Sequence, residues 1–216
     1  MNTPSAPDAK LLIAPGCAHC PAVLQHLSTL LKENLIGKLE VINIHQHPEI
    51  AQQLNVRSVP WLQLGEFTLN GAYSLSELRD YASFTGSESG ISQYIEKQLA
   101  EGQLSALIEE IKHHHHWLKS VLQLLMDDDT SMQVRLGLDS LIESLAGSEI
   151  LFDLANELGK LSKEVHISRL ADIIHYLGLT HNPGARAFIE THCNNENPDI
   201  REVCQDALEE INTHVQ

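Results

Sequence analysis

Two cysteines three positions apart, Cys17 and Cys20, are the residues near the start of the chain best suited to chemistry. A short apolar run ends at Pro15-Gly16 just before them, and helical spacing of apolar residues begins just after them. The thiols therefore stand at the first turn of a predicted helix, where unpaired backbone amides and a partial positive charge favour a thiolate. Their separation places the two sulfurs near enough to form a disulfide. We expect Cys17 to be the attacking thiolate and Cys20 the resolving thiol of a disulfide exchange.

Two neighbouring residues support this chemistry. His19 lies in the same first turn and can supply positive charge when protonated, or donate a hydrogen bond. Pro21 is suited to an early helix position, because the amide hydrogen that proline lacks has no helical partner there. The competing interpretation is half of a four-ligand zinc site, which requires a second pair of ligands. The other cysteines, Cys193 and Cys204, do not form a second C-x-x-C, so we expect them to be non-catalytic and expect no metal site here.

Strand and helix signals alternate over the first 86 residues. Ser74 and Glu77 have the spacing of a capping box at a helix start, and Gly65-Glu66 between two apolar runs indicates a hairpin. The first strand–helix–strand crossover predicts parallel pairing of its two strands. The predicted strands are Lys10–Ala14, Leu39–Ile44, Trp61–Leu64 and Phe67–Asn70, and the predicted helices begin at Pro21 (ending at Gly37), Pro48 and Ser74.

Two segments together carry a resemblance to a known family. Cys17-Ala18-His19-Cys20-Pro21, followed about 40 residues later by Val56-Arg57-Ser58-Val59-Pro60, resembles the thioredoxin superfamily over about residues 10–84. The resemblance implies an α/β thioredoxin-like fold in which Pro60 is cis and lies beside the disulfide. It also implies that the backbone of Val59 pairs with an extended substrate segment.

The chain departs from thioredoxin proper in three ways. The additional N-terminal strand and helix are missing, so the short core is more similar to glutaredoxin or to the redox domain attached to bacterial alkyl hydroperoxide reductase flavoproteins. Gly16 stands where thioredoxin has an aromatic residue, and the first strand lacks the buried acid. His19 matches the third position of the Cys-Pro-His-Cys motif of periplasmic disulfide-forming enzymes, which are more oxidising.

Charge divides the chain near a polar cluster at residues 85–90. Residues 1–86 carry a net charge of −2, and the remainder carries nine basic against 22 acidic residues. The cluster of small polar residues is typical of a linker. We therefore expect a redox domain at residues 1–86, a linker and connecting helix at 87–112, and a second domain at 113–216.

Apolar positions in the second domain recur every 33 residues. A second series sixteen residues earlier, beginning at Leu118, Leu151 and Gly184, recurs with the same spacing. Three units of paired amphipathic helices predict an all-α helical-repeat domain, with a six-helix bundle as the alternative. Turns are expected at Asp127-Asp128-Asp129, Ser162-Lys163-Glu164 and Asn194–Asp199, and His175 and Thr191 depart from the apolar pattern. The main series is Val134, Gly137, Leu138, Leu141, Ile142 and Leu145, then Ile167, Leu170, Ala171, Ile174, His175 and Gly178, then Ile200, Val203, Cys204, Ala207, Leu208 and Ile211.

The repeat resembles HEAT-type repeats at Val134-Arg135 and Asp199-Ile200-Arg201, where a turn leads into an apolar–Arg pair. HEAT-like solenoids present a surface to another protein, so the resemblance implies docking of an unidentified protein partner. An acidic platform favours a basic partner surface. A solvated appendage without a docking role is the alternative.

Thirteen histidines stand in the chain, four of them consecutive at His113–His116. Only His113 and His116 share a helix face, so we expect a polar connection between helices, with a weak nickel or zinc site as the alternative. His45 and His47 are expected in a turn.

Composition excludes several functional classes. A net charge of −15 over 216 residues disfavours nucleic acid and anionic membranes as partners. The start of the chain shows no signal-peptide pattern, so we expect a cytoplasmic protein. No cofactor is expected. The residues predict a thiol–disulfide oxidoreductase acting on protein disulfides; the alternatives are a non-catalytic adaptor and a metal carrier using the histidines.

Overall fold

The computed structural model describes residues 6–161 and 167–214. The chain divides into two compact units, of which the first ends at Tyr94 and the second begins at Ile95. This division falls inside the segment 87–112 that the sequence assigns to a linker and connecting helix.

The first unit contains a four-stranded sheet and the helices around it, confirming the predicted α/β thioredoxin-like fold. The sheet order is β2-β1-β3-β4, in which β1 and β2 pair in parallel, as the crossover predicts, and the other pairs are antiparallel. The elements in chain order are β1 (Asp8–Ile13), α1 (Cys20–Lys32), β2 (Lys38–Asn43), α2 (Pro48–Gln53), β3 (Trp61–Leu64), β4 (Phe67–Asn70), α3 (Leu75–Phe84) and α4 (Glu88–Ala100).

Both faces of this sheet contribute to the core of the first unit. Alternate residues of each strand point to the same face, so the buried pair Leu11 and Leu62 lies on one face and the buried pair Leu12 and Trp61 on the other. Helix α1 packs on β1, β2 and α3. The buried members of this core include Ala9, Leu11, Leu62, Leu64, Phe67 and Leu69 from the strands, and Val23, Leu27, Leu30, Leu78 and Tyr81 from the helices.

Helix α1 ends earlier than the sequence predicts. It stops at Lys32 instead of continuing to Gly37, because Asn34 adopts a left-handed conformation (φ 58°). The amides of Asn34 and Leu35 bond to the carbonyls of Leu31 and Leu30, which closes the helix with a Schellman motif. Asparagine here takes the place usually given to glycine.

The polar cluster at residues 85–90 is not an extended linker. Only residues 85–87 separate α3 from α4, and Glu88–Gly90 belong to the first turn of α4. A Cβ added at Gly90 would lie 1.9 Å from the Phe84 carbonyl oxygen. Gly90 therefore permits close backbone approach between successive helices, a role distinct from chain flexibility.

The second unit is helical, as predicted. After the end of α4 it contains α5 (Leu104–His113), α6 (Leu118–Met126), α7 (Met132–Ser144), α8 (Glu149–Leu161), α9 (Ile167–Leu179), α10 (Arg186–His192) and α11 (Pro198–His214), with short 3-10 helices at His115–Trp117 and Pro183–Ala185. Helix α6 packs on α7, α8 on α9, and α10 on α11, while α9 also contacts both α7 and α11. Most residues of the main apolar series lie on α7, α9 and α11, and α9 contacts each of the other two helices.

The expected turns and exceptions in the second unit can be compared with the structure directly. Asp127–Asp129 separates α6 from α7, and Asn194–Asn197 separates α10 from α11, with the predicted turn continuing into the first residues of α11. The predicted turn at Ser162–Glu164 lies outside the described residues. His175 and Thr191 are both exposed, which is why polar side chains are tolerated at these two positions of the series.

None of the described helices is both long enough and apolar enough to cross a bilayer.

Candidate functional site

The two sulfurs that the sequence brings forward are bonded to each other. Cys17 and Cys20 form a disulfide with an S–S distance of 2.02 Å and a Cα–Cα distance of 5.5 Å. The predicted proximity of the two cysteines is therefore confirmed.

A tight turn carries the chain from the end of β1 to Cys17. Pro15 and Gly16 occupy its two central positions, Gly16 has a φ of +81°, and the Cys17 amide donates to the Ala14 carbonyl at 3.3 Å. Proline followed by a residue of positive φ is the signature of a type II turn. Gly16, which replaces the aromatic residue of thioredoxin, is thus the residue type that this turn demands.

Helix α1 begins at Cys20, directly beneath Cys17. The Cys20 amide donates to the Cys17 Sγ at 3.2 Å, so one unpaired amide of the helix start serves the first sulfur. Pro21 occupies the first turn, as predicted, and His19 is the N-cap residue. The His19 side chain is exposed and makes no capping hydrogen bond, leaving it available to solvent or to an approaching molecule.

The two sulfurs differ in access from solvent. Cys17 is half-buried, whereas Cys20 retains 5% of its surface exposed and packs in the core with α1. An incoming group can therefore reach Cys17 more readily than Cys20.

The second predicted segment lies beside the disulfide. The Val59–Pro60 peptide is cis, as the resemblance implies, and the Val59 carbonyl oxygen lies 3.7 Å from the Cys17 Sγ. The Pro60 carbonyl accepts a bond from the Gly71 amide at 3.0 Å, which ties it to the end of β4. Within the described residues the Val59 amide donates to no backbone or side-chain group, so it is free to bind an extended segment.

Sequence reasoning missed one residue that supports the site. His26, on α1, lies 3.0 Å through its Nδ1 from the Tyr73 carbonyl oxygen. A carbonyl only accepts, so Nδ1 carries the hydrogen. The bond joins α1 to the loop after β4, the same loop that supplies the Gly71 amide to Pro60. A single histidine at a helical position offers no pattern by which this could have been found.

The histidine clusters occupy connections. His113 ends α5, His114 stacks on Trp117 with ring centroids 4.8 Å apart, and His115 and His116 enter the short 3-10 helix before α6. The polar connection between helices is thus confirmed. His45 lies in a turn after β2, as predicted, whereas His47 is the N-cap residue of α2. Over residues 6–161 and 167–214, no group of three or more His, Cys, Asp or Glu side chains is arranged to hold a metal ion.

Comparison with known proteins agrees with this geometry. A family model for a thioredoxin domain matches residues 8–82, which contain the sheet, α1 to most of α3, both cysteines and the cis-proline. No curated protein matches the chain. The N-terminal part is a thioredoxin-like domain with its cysteine pair at disulfide distance, followed by a largely helical region.

Proposed function

We propose that the protein is a thiol–disulfide oxidoreductase that exchanges the Cys17–Cys20 pair with disulfides of other proteins. The observation that carries this proposal is the placement of Cys17, half-buried and 3.2 Å from the Cys20 amide, beside the cis-proline segment. The amide donor favours negative charge on the Cys17 sulfur when the disulfide is open. A half-buried thiolate at a helix start is the nucleophile that disulfide exchange requires.

The reduced protein would act in two steps. The Cys17 thiolate attacks one sulfur of the substrate disulfide, forming a mixed disulfide and releasing the other substrate sulfur as a thiolate. Cys20 then gives its proton to water and attacks the Cys17 sulfur, forming the intramolecular disulfide and releasing the second substrate thiol. Two electrons pass to the substrate, and the reverse sequence oxidises a dithiol. Water is the assigned acceptor because no Asp or Glu side chain within residues 6–94 is buried.

The substrate backbone would bind alongside Val59. Its free amide and its carbonyl provide one donor and one acceptor at the edge of the disulfide, as in the addition of a strand to a sheet edge. Such pairing brings a substrate cysteine next to Cys17 without requiring a particular side-chain sequence.

The helical unit would dock a protein partner through HEAT-like repeats. Support comes from two arginines 66 residues apart, twice the repeat period: Arg135 donates to the Thr130 carbonyl at 3.1 Å, and Arg201 donates to the Glu196 carbonyl at 2.9 Å. Each thus binds the carbonyl five residues earlier, in the turn before its helix. The excess of 22 acidic over nine basic residues after residue 86 favours a basic partner surface.

Trapping tests the exchange. Cys17→Ser should abolish turnover of a protein disulfide, because the attacking sulfur is gone, whereas Cys20→Ser should accumulate a mixed disulfide at Cys17. Ser144→Ala, at an exposed position of α7, is the control and should turn over like the parent. If Cys17→Ser and Cys20→Ser both behave like this control, the protein is not an exchange enzyme, and the adaptor alternative stands.

A further inference from the structure

Two thiols outside the N-terminal site meet where the last two helices pack. Cys193 directly follows α10, Cys204 lies inside α11, and the two helices contact each other. The Cys193 sulfur lies near enough to Cys204 to act electrostatically on its thiol, and the two form no disulfide. Sequence alone separates them by eleven positions, so only the packing brings these sulfurs together.

Their surroundings give the two thiols different roles. Cys193 is half-buried, and its Sγ donates to the Ile189 carbonyl at 3.5 Å. Cys204 is fully buried, and burial, followed by the nearby sulfur of Cys193, raises its pKa to about 12. A reagent from solvent therefore meets Cys193 before Cys204.

The helix carrying Cys204 packs closely on α9. A Cβ added at Gly178 of α9 would lie 2.8 Å from the Ala207 Cα of α11, so these two helix backbones are in close approach. Cys193, by contrast, stands at the end of a seven-residue helix and begins the connection to α11. Closure of a disulfide would therefore move Cys193 toward a fixed Cys204.

We propose that Cys193 and Cys204 form a second dithiol site, which takes up a disulfide from low-molecular-weight disulfides. Cys193 loses its proton to water, attacks the donor disulfide and releases one donor thiol. Cys204 then loses its proton and attacks the Cys193 sulfur, releasing the second donor thiol. One S–S bond breaks and one forms, the donor gains two electrons, and the protein loses two. The resulting crosslink would tie the end of α10 to α11 and restrict the last helix pair.

The site is tested in the full-length chain carrying Cys17→Ser and Cys20→Ser, so that it contains only these two thiols and the result does not depend on the proposed exchange at Cys17. The protein is incubated with oxidised glutathione, quenched in acid, alkylated and digested with trypsin. Cleavage after Arg201 places Cys193 in peptide 187–201 and Cys204 in peptide 202–216. An intramolecular disulfide therefore links two peptides that otherwise separate.

The expected result is the linked pair of peptides from monomeric protein, without a stable glutathione adduct. Cys204→Ser in the same background should accumulate the adduct on Cys193, because the resolving thiol is missing. Cys193→Ser should stay unmodified, because Cys204 is buried. Unchanged far-UV circular dichroism and thermal unfolding would show that each variant is folded.

Three results would overturn the proposal: a lasting glutathione adduct on Cys193 while Cys204 is present, both thiols remaining free, or a disulfide between two chains. The parent protein supplies an independent check. Its Cys17 and Cys20 fall within one tryptic peptide, 11–32, so their disulfide cannot be mistaken for the predicted linked pair.

Discussion

The backbone amide of Cys20 points at the sulfur of Cys17 from 3.2 Å. This relationship exists because a type II turn after β1 returns the chain above the first residue of α1. One residue of the pair thus supplies both the second sulfur and the amide that stabilises charge on the first. The segment Cys17–Cys20 thus contains both sulfurs and the amide donor within four consecutive residues.

The different surroundings of Cys17 and Cys20 predict selective alkylation of Cys17 in the reduced protein. A short pulse of iodoacetamide should label Cys17 well before Cys20, because Cys17 is half-buried and served by an amide donor while Cys20 is 5% exposed. Peptide fragmentation by mass spectrometry identifies the labelled sulfur. In denaturant the two should react at similar rates, which is the control. Equal labelling in the native protein would contradict the assignment of attacking and resolving thiols.

Gly16 provides a second prediction. Its φ of +81° is costly for any residue with a Cβ, although a Cβ there would contact nothing within 4 Å. Gly16→Ala should therefore lower the free energy of unfolding by about 1–2 kcal/mol through backbone strain alone. Gly16→Asn should cost less, since asparagine tolerates the left-handed region. Denaturant unfolding of the oxidised proteins measures both. Equal losses for Ala and Asn would show that something other than φ determines the cost.

Short sequence motifs predict the structure of the first unit well where the residues of the motif occur in one kind of local structure. The hairpin at Gly65-Glu66 and the capping box of Ser74 and Glu77 are found as predicted; the Ser74 hydroxyl accepts from the Glu77 amide at 3.3 Å, and the Glu77 carboxylate accepts from the Ser74 amide at 2.8 Å. The sequence places the end of α1 at Gly37 because the left-handed residue that ends the helix is Asn34 and not a glycine. The composition of Glu88–Gly90 indicates a linker, since it does not reveal that Gly90 permits close packing.

Contacts between residues far apart in the sequence are the features that sequence analysis does not predict. The bond from His26 to the Tyr73 carbonyl spans 47 residues, and the contact of Cys193 with Cys204 depends on how α10 meets α11. Neither has a local pattern. The pairing of Cys17 with Cys20 is predictable because their spacing and their position before a helix are local properties.

Asp172 of α9 predicts a pH-dependent stability. Burial, then the negative charge of Asp139, raises the pKa of Asp172 above its ordinary 3.8, against the opposing positive charges of Arg169, Arg135 and His175. The folded state therefore binds this proton more tightly than the unfolded chain. Full stability is present below pH 3.8 and is lost as the pH rises toward the raised pKa. At neutral pH the ionised carboxyl carries a penalty.

Asp172→Asn should remove that penalty. The variant should be more stable than the parent at pH 7, by less than about 1 kcal/mol because solvent screens a partly exposed group, and the gain should vanish below the ordinary pKa. Thermal unfolding at several pH values measures this difference. Asp128→Asn is the control, because Asp128 also contacts Arg169, at 2.9 Å, but is exposed. A gain for Asp172→Asn of equal size at all pH values would show that the substitution acts through packing.

Arg135 and Arg201 lie 66 residues apart, which is two repeat periods, and they provide a test of the helical repeat. Besides Thr130, Arg135 donates to the Leu125 carbonyl at 2.9 Å and to the Asp127 carbonyl, whereas Arg201 donates to the Asn195 and Glu196 carbonyls. Each guanidinium holds the turn that precedes its helix, and its planar set of five donors suits it to bind carbonyls that lie apart from one another.

If these bonds are equivalent parts of a repeat, both substitutions should act in the same way and in proportion to the bonds removed. Arg135→Ala should lower the free energy of unfolding by about 2–3 kcal/mol, and Arg201→Ala by somewhat less, because hydrogen bonds from a charged donor contribute about 1.5–3 kcal/mol. Lys112→Ala is the control: Lys112 pairs with Glu109 on the surface of α5 at 2.7 Å, and its loss should cost under about 0.5 kcal/mol. Denaturant unfolding followed by circular dichroism measures all three. A loss confined to Arg135 would mean that the 33-residue spacing describes the helices but not a shared way of holding their turns.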